Sequence, residues 1–135
     1  MSAFPLTALV TIATLFVYIW VTLQIGKARR LHSISAPDMT GPDDFNRVIR
    51  VHGNTMEAML LFLPSLWLFA AFNSDLYAGI IGLFFPLGRI IYARGYYQAA
   101  DKRGRGFMIG FLSTVVLLVG ALIAVAQNLL SAYSM

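Results

Sequence analysis

The chain has 135 residues, no cysteine and a net charge of +4, with 59% apolar residues, 12% charged residues and a mean hydropathy of +0.73. Soluble domains carry roughly 25% charged residues, and a chain of this size buries only about 70% of its unfolded surface, so disorder and a water-soluble globule are both poor readings. A disulfide framework, a cysteine-ligated zinc site and a cysteine nucleophile are excluded, and the class that remains is a small integral membrane protein.

Met1 to Gly26 carries no charge, more than the ~20 apolar residues that span a bilayer as a helix. This predicts a first helix at 4–26. It lacks a basic n-region, and its basic cluster follows the apolar stretch, unlike a cleaved signal peptide. Thr40-Gly41-Pro42-Asp43-Asp44 opens a second helix at 43–72, with Pro at the first helical position and acids in the first turn. The uncharged stretches Ala58–Ser74 and Leu76–Gly88 read as a helical hairpin turning at Asn73-Ser74-Asp75, with a third helix at 75–98. Pro64 and Pro86 fall inside these helices, where each removes a backbone hydrogen bond and bends the helix. Gly106 to Met135 is again uncharged and predicts a fourth helix at 106–131, with Gly106-x-x-x-Gly110 permitting close packing on a neighbour. Backbone polar groups must be satisfied internally in lipid. The expected fold is therefore an all-α integral membrane domain over 1–135, a four-transmembrane-helix bundle.

The ten Lys and Arg residues fall in two groups. Lys27, Arg29, Arg30, Arg47 and Arg50 lie in or beside loop 1, and Arg89, Arg94, Lys102, Arg103 and Arg105 lie in or beside loop 3. Loops 1 and 3 share a side in a four-span protein. The positive-inside rule puts them in the cytoplasm and both termini on the opposite side. This topology, with anionic lipid headgroups as neighbours, accounts for the net charge without nucleic acid.

At 1.5 Å per residue, Glu57 and Arg89 lie about 24 Å and 21 Å from the loop 2 turn. Both are near the cytoplasmic edge of a ~30 Å hydrocarbon layer. Arg47, Arg50, Asn54 and Glu57 fall within roughly an 80° arc of the second helix; Arg89, Tyr92, Tyr96 and, if the helix continues, Arg103 fall within about 60° on the third. Two polar stripes at matched depth should face each other or a wet cavity. One reading is a Glu57–Arg89 ion pair that ties the helices together, with snorkelling Arg and interfacial Tyr around it. The other is an anionic polar ligand, because arginine forks match carboxylates and ionisable residues at depth are candidate functional groups. His32 reads as a solvated loop residue and His52 as a polar lining residue. The two histidines form no metal set, and neither a nucleophile triad nor a Gly-rich phosphate loop is present. No metal and no nucleotide cofactor is expected.

Leu23-Gln24-Ile25, Ala28-Arg29-Arg30, Ser35, Pro37, Thr40-Gly41-Pro42, Phe45, Arg47-Val48, Arg50, Asn54, Glu57, Phe62-Leu63, Leu66-Trp67, Arg89, Tyr92, Gly95-Tyr96 and Arg103 together resemble the MAPEG family (membrane-associated proteins in eicosanoid and glutathione metabolism). The nearest branches are leukotriene-C synthase and microsomal glutathione transferases. The resemblance runs from about Leu23 to Arg103; helices 1 and 4 share little more than apolarity. It implies a homotrimer with a glutathione site between adjacent subunits near the cytosolic face. It also implies glutathione as co-substrate, held by Arg50, Asn54, Glu57, Tyr92 and Tyr96 with Arg29 from a neighbouring subunit. His52 takes a lining position, and Arg89 joins the set from its place on the third-helix stripe. By the same resemblance Arg103 stabilises the thiolate and Arg30 assists on the side of a hydrophobic electrophile from the bilayer.

The residue types suit that chemistry. Arginines match the two carboxylates of glutathione and Glu57 matches its ammonium. A nearby cation lowers a thiol pKa and makes the nucleophile. Some positions depart from the family pattern. Ala58 stands where leukotriene-C synthases have a tyrosine, Leu60 replaces a proline with Pro64 one turn later, and Val115 stands where a tryptophan closes the lipid slot. In the prostaglandin E synthase branch the catalytic arginine aligns better with Arg105, which on a continuous helix points about 160° from Arg103. The expected function is a membrane glutathione transferase, with glutathione peroxidase activity as a companion. The alternatives are a non-catalytic lipid-presenting protein of the same fold and a small four-helix transporter. The transporter is disfavoured by the uncharged first helix.

Overall fold

A computed structural model describes residues 3–134. The uncharged tail positions Met1, Ser2 and Met135 lie outside the described residues. Four helices follow one another: α1 (Pro5–His32), α2 (Asp43–Phe72), α3 (Asp75–Gln98) and α4 (Gly104–Tyr133), with a 3-10 turn at Ala100–Arg103 before α4. All four are long and apolar enough to cross a membrane, so the chain is an integral membrane protein.

The ends of the helices show where local chemistry acts. α1 continues to His32 rather than stopping at Gly26, because backbone hydrogen bonding persists after the chain leaves the apolar layer. Arg29, Arg30 and His32 fill its last turn, where cations complement the helix dipole. Ser33 closes it in the left-handed conformation at φ 53°. Pro42 caps α2 from outside with extended backbone instead of occupying its first turn, while Asp43 and Asp44 lie in the first turn as expected. Ser74 caps α3 by accepting from the Tyr77 amide at 3.3 Å. α3 ends at Gln98 because Ala99 is extended, at φ −164° and ψ 145°. α4 then starts at Gly104, two residues before its expected start.

Asp75 joins elements distant in sequence. Its carboxylate accepts from the Leu6 amide (3.1 Å), the Thr7 amide (2.9 Å) and the Thr7 hydroxyl (2.8 Å). The first amides of any helix lack intrahelical partners, and here the hairpin turn supplies acceptors to α1.

The interior is built from two clusters. Val10, Phe62, Leu66, Phe69, Phe85, Leu117 and Ala121 pack toward the loop 2 end, with Phe62 and Phe85 stacked at 3.9 Å. Val21, Val51, Tyr92 and Ala93, ringed by Tyr18, Trp20, Tyr96 and Tyr97, pack toward loops 1 and 3. Three buried hydroxyls return to their own helix. Thr14 donates to the Val10 carbonyl at 2.9 Å, Ser65 to Leu61 at 2.7 Å and Thr114 to Gly110 at 3.0 Å. Such local bonds let small polar residues sit in an apolar bundle.

α3 and α4 meet backbone to backbone. A Cβ on Gly88 would lie 2.8 Å from the Gly110 nitrogen, and one on Gly106 would overlap the Tyr92 backbone. The Gly106-x-x-x-Gly110 spacing thus serves the α3 crossing and sets the height of Arg89 and Tyr92 against α4. Gly106→Ala is expected to lower stability by about 1–3 kcal/mol, as overpacking does. Gly104→Ala, where a Cβ meets open space, should be neutral or slightly stabilising; thermal unfolding of both variants checks the contrast.

Candidate functional site

The polar stripes of α2 and α3 face each other. The Asn54 side-chain amide donates to the Tyr92 hydroxyl at 2.8 Å. Beside them opens a cavity of about 410 Å³, lined by one stripe from each of three helices. α2 gives Asn54, Glu57, Ala58 and Leu61. α3 gives Phe85, Arg89 and Tyr92, and α4 with its preceding turn gives Arg103, Phe107, Phe111 and Thr114. Spacings of three, four and seven residues on each helix keep these side chains on one face. The cavity is polar at the loop end and apolar toward the bilayer interior, where Phe107 and Phe111 stack at 5.5 Å.

Arg89 is 3% exposed. Its Nη2 donates to the Thr55 hydroxyl at 2.9 Å, and its guanidinium lies 3.8 Å from the Tyr92 ring centroid. Its Nε is buried without a partner. The Glu57–Arg89 ion pair, one of the two readings of the stripes, is not formed. Among the described residues the one ion pair is His32–Asp44 at 2.9 Å. The reason is angular: Thr55 and Glu57 are about 200° apart on α2, and Arg89 bonds the Thr55 side while Glu57 is exposed at the cavity mouth. A buried cation without a counter-ion costs several kcal/mol. Stacking on Tyr92 and the bond to Thr55 offset part of this, and the remaining positive potential faces the cavity.

Arg103 reaches the cavity by a route the sequence reading did not anticipate. α3 does not continue through it; the chain breaks at Ala99 and folds back through the 3-10 turn. A Cβ on Gly95 would overlap the Lys102 carbonyl oxygen, so only glycine admits this return. The Arg103 guanidinium donates to the Ala100 carbonyl at 2.6 Å and lies 5.5 Å from the Tyr96 ring. Tyr96 in turn makes an edge contact with Tyr92 at 5.6 Å. Arg105 lines a separate hollow with Asp101, Lys102 and Gly104.

The cavity therefore gathers Asn54, Glu57, Arg89, Tyr92 and Arg103, with Tyr96 alongside. Arg50 is exposed and lies outside it. His52 lies against Tyr18 of α1, with ring centroids 4.9 Å apart and the rings tilted by 30°. Arg29 is held by the Asp38 carbonyl at 2.7 Å and by the Phe45 ring at 5.6 Å. Arg30 is exposed. None of these four lines the cavity of its own chain. Among the described residues no three His, Asp or Glu side chains gather as a metal set. Thr55, Phe85, Phe107 and Phe111 escaped the sequence reading; the helical spacing of the three Phe residues with Arg89 and Arg103 was the available signal.

Gly95→Ala tests the fold-back. It should displace the 3-10 turn and Arg103 with it, while α1 and α2 keep their packing. Limited proteolysis should show loop 3 opening as the rest of the chain stays protected.

Residues 7–123 match the MAPEG family. The chain is 45% identical over 122 residues to an uncharacterized protein of Synechocystis sp., covering 90% of this chain and 89% of that protein. It is 36% identical over 116 residues to human (Homo sapiens) microsomal glutathione S-transferase 2, covering 84% of this chain and 78% of that protein. It is also 36% identical over 98 residues to leukotriene C4 synthase of Mus musculus, covering 73% and 65%.

Proposed function

This chain belongs to the MAPEG family, and from that premise we propose that it is a membrane-bound glutathione transferase acting on hydrophobic electrophiles drawn from the bilayer. The observation that carries the reading is the two-ended cavity. Asn54, Glu57, Arg89, Tyr92 and Arg103 converge at its polar end, and Leu61, Phe85, Phe107 and Phe111 continue it into the apolar layer. The named activities of the relatives agree: one is a glutathione S-transferase and another a leukotriene C4 synthase.

In this reading glutathione enters from the loop 1 and loop 3 side, which faces the cytoplasm by the charge rule. Glu57 pairs with its ammonium, and cationic side chains hold its carboxylates. The Tyr92 hydroxyl accepts from Asn54, which leaves its own proton to donate to the tripeptide. Arg103 has one nitrogen on the Ala100 carbonyl and offers the rest of its fork to the sulfur. The chain has no cysteine, so the nucleophilic sulfur is that of glutathione. The cation lowers the thiol pKa, and the thiolate sulfur bonds the electrophilic carbon at the apolar end of the cavity. As it does so, a leaving-group, epoxide or conjugated π bond of that carbon breaks, its electron pair leaving with the departing group or taking up a proton. Proximity of a water-soluble thiolate and a lipid-soluble partner supplies much of the rate. Reduction of lipid hydroperoxides is the companion reaction: the thiolate attacks the terminal peroxide oxygen and releases the lipid alcohol, and a second glutathione converts the resulting sulfenic acid to glutathione disulfide and water.

Arg50, Glu57 and Arg30 are exposed in the single chain, although Glu57 lies at membrane depth. A homotrimer would cover them and bring Arg29 and His52 of one copy toward the cavity of the next, completing the glutathione site. Arg30 then assists on the electrophile side.

Removing Arg103 should raise the thiol pKa. Arg103→Ala is expected to lower kcat with a model electrophile roughly 100- to 1,000-fold, in the range seen when a charge-stabilising donor is lost. It should also move the pH–rate profile to higher pH. The ultraviolet thiolate signal of bound glutathione should fall in parallel, with no protein thiol to confuse it. Arg50→Ala and Glu57→Ala should each weaken glutathione binding in titration calorimetry while the oligomer persists. Unchanged affinity in both would remove them from the ligand set.

A further inference from the structure

Arg89 and Glu57 line the same cavity without pairing. Buried charges are ordinarily paired, and among the described residues Glu57 is the one carboxylate that lines this cavity. It makes no hydrogen bond or ion pair there. Arg89 instead gives its Nη2 proton to the Thr55 hydroxyl, 2.9 Å away and inside the bundle.

Thr55 is unlike the other buried threonines. Thr14 and Thr114 donate to the carbonyl four residues back on their own helix, and Thr7 donates to Asp75. Thr55 is 1% exposed, and its one hydrogen bond among the described residues is the bond it accepts from Arg89. The preceding residue, Asn54, donates to the Tyr92 hydroxyl at 2.8 Å. Two consecutive residues of α2 thus fix two side chains that lie one turn apart on α3, and the guanidinium rests 3.8 Å from the Tyr92 ring centroid. Thr55 does not line the cavity, so any effect it has there passes through Arg89.

A hydroxyl holds a guanidinium without neutralising it, whereas a carboxylate would close the pair and offer neither charge to a ligand. We propose that Thr55 is a positioning residue. By keeping Arg89 on a neutral acceptor, it holds the cation apart from Glu57 and leaves both charges open to a ligand that carries charges of both signs. The identity of that ligand rests on the transferase reading: Arg89 then faces a carboxylate of glutathione and Glu57 its ammonium. Without the hydroxyl, Arg89 turns across the cavity to Glu57, and the two charges cancel.

The test uses the full chain in nanodiscs: wild type, Thr55→Val and Thr55→Ser, each with and without Glu57→Gln. Thermal unfolding without glutathione reads the coupling. Glu57→Gln should lower the Tm of Thr55→Val by about 4 °C or more beyond its effect on the wild type, because only there has Glu57 become the partner of Arg89. Thr55→Ser keeps the acceptor and should behave as the wild type. Titration calorimetry should show glutathione binding weakened about tenfold in Thr55→Val and restored in Thr55→Ser. A merely structural threonine would change the Tm without coupling it to Glu57. If Glu57→Gln shifts the Tm equally in all three backgrounds, the proposal falls. It also falls if Thr55→Val binds glutathione as tightly as the wild type does. A wild type that binds no glutathione, with the thermal coupling present, would overturn the transferase reading and leave the charge separation standing. Thr55→Ala carries the same comparison if the valine variant does not fold.

Discussion

A guanidinium held inside a membrane bundle without a carboxylate constrains everything near it. Arg89 needs a hydroxyl, an aromatic face and a route for its field to reach polar surroundings, and the bundle supplies all three. Thr55 of α2 accepts its proton, Tyr92 one turn along α3 lies beneath it, and the polar end of the cavity opens beside it. The glycine contact between α3 and α4 belongs to the same arrangement. Gly88, Gly106 and Gly110 draw the two backbones together and fix where Arg89 and Tyr92 stand, while the large Phe107 and Phe111 hold the helices' faces open along the cavity. Where the smallest residues fall and where the aromatics fall together decide whether the bundle has a hollow at all.

Much of the fold was legible because membrane helices leave coarse marks. The spans of α2 and α3 follow from acids in a first turn and from Asn73-Ser74-Asp75 between two apolar runs. The end of α1 was not legible, since loss of hydrophobicity marks the edge of the lipid and not the end of hydrogen bonding; the helix runs on through Lys27 to His32. The pairing of Asn54 with Tyr92 was implied by matched depth and angle. The partner of Arg89 was not, because depth and angle define a neighbourhood within which a neutral threonine competed successfully with a glutamate. Arg103 entered the site through the family resemblance, with continuity of the third helix left open, and it arrives there through a break that one glycine makes possible.

The site is also divided between what one chain finishes and what it leaves facing outward. Asn54, Tyr92 and Arg89 are fixed by contacts inside the chain. Arg50 is exposed outside the cavity and Glu57 is exposed at its mouth, and His52 and Arg29 are held against Tyr18 and Phe45. Side chains with such polarity, so close to hydrocarbon, are compatible with a bilayer only where water, a ligand or another polypeptide meets them.

The carboxylate of Asp75 accepts from amides 68 and 69 residues earlier in the chain. Those amides open α1, and until Asp75 emerges during synthesis they have no acceptor from the protein itself. The first helix therefore has an unfinished end until the hairpin that follows is in place. Biogenesis of this protein is in that respect not a sequence of independent insertions: the earliest span is completed from behind, by a residue made after half the polypeptide already exists.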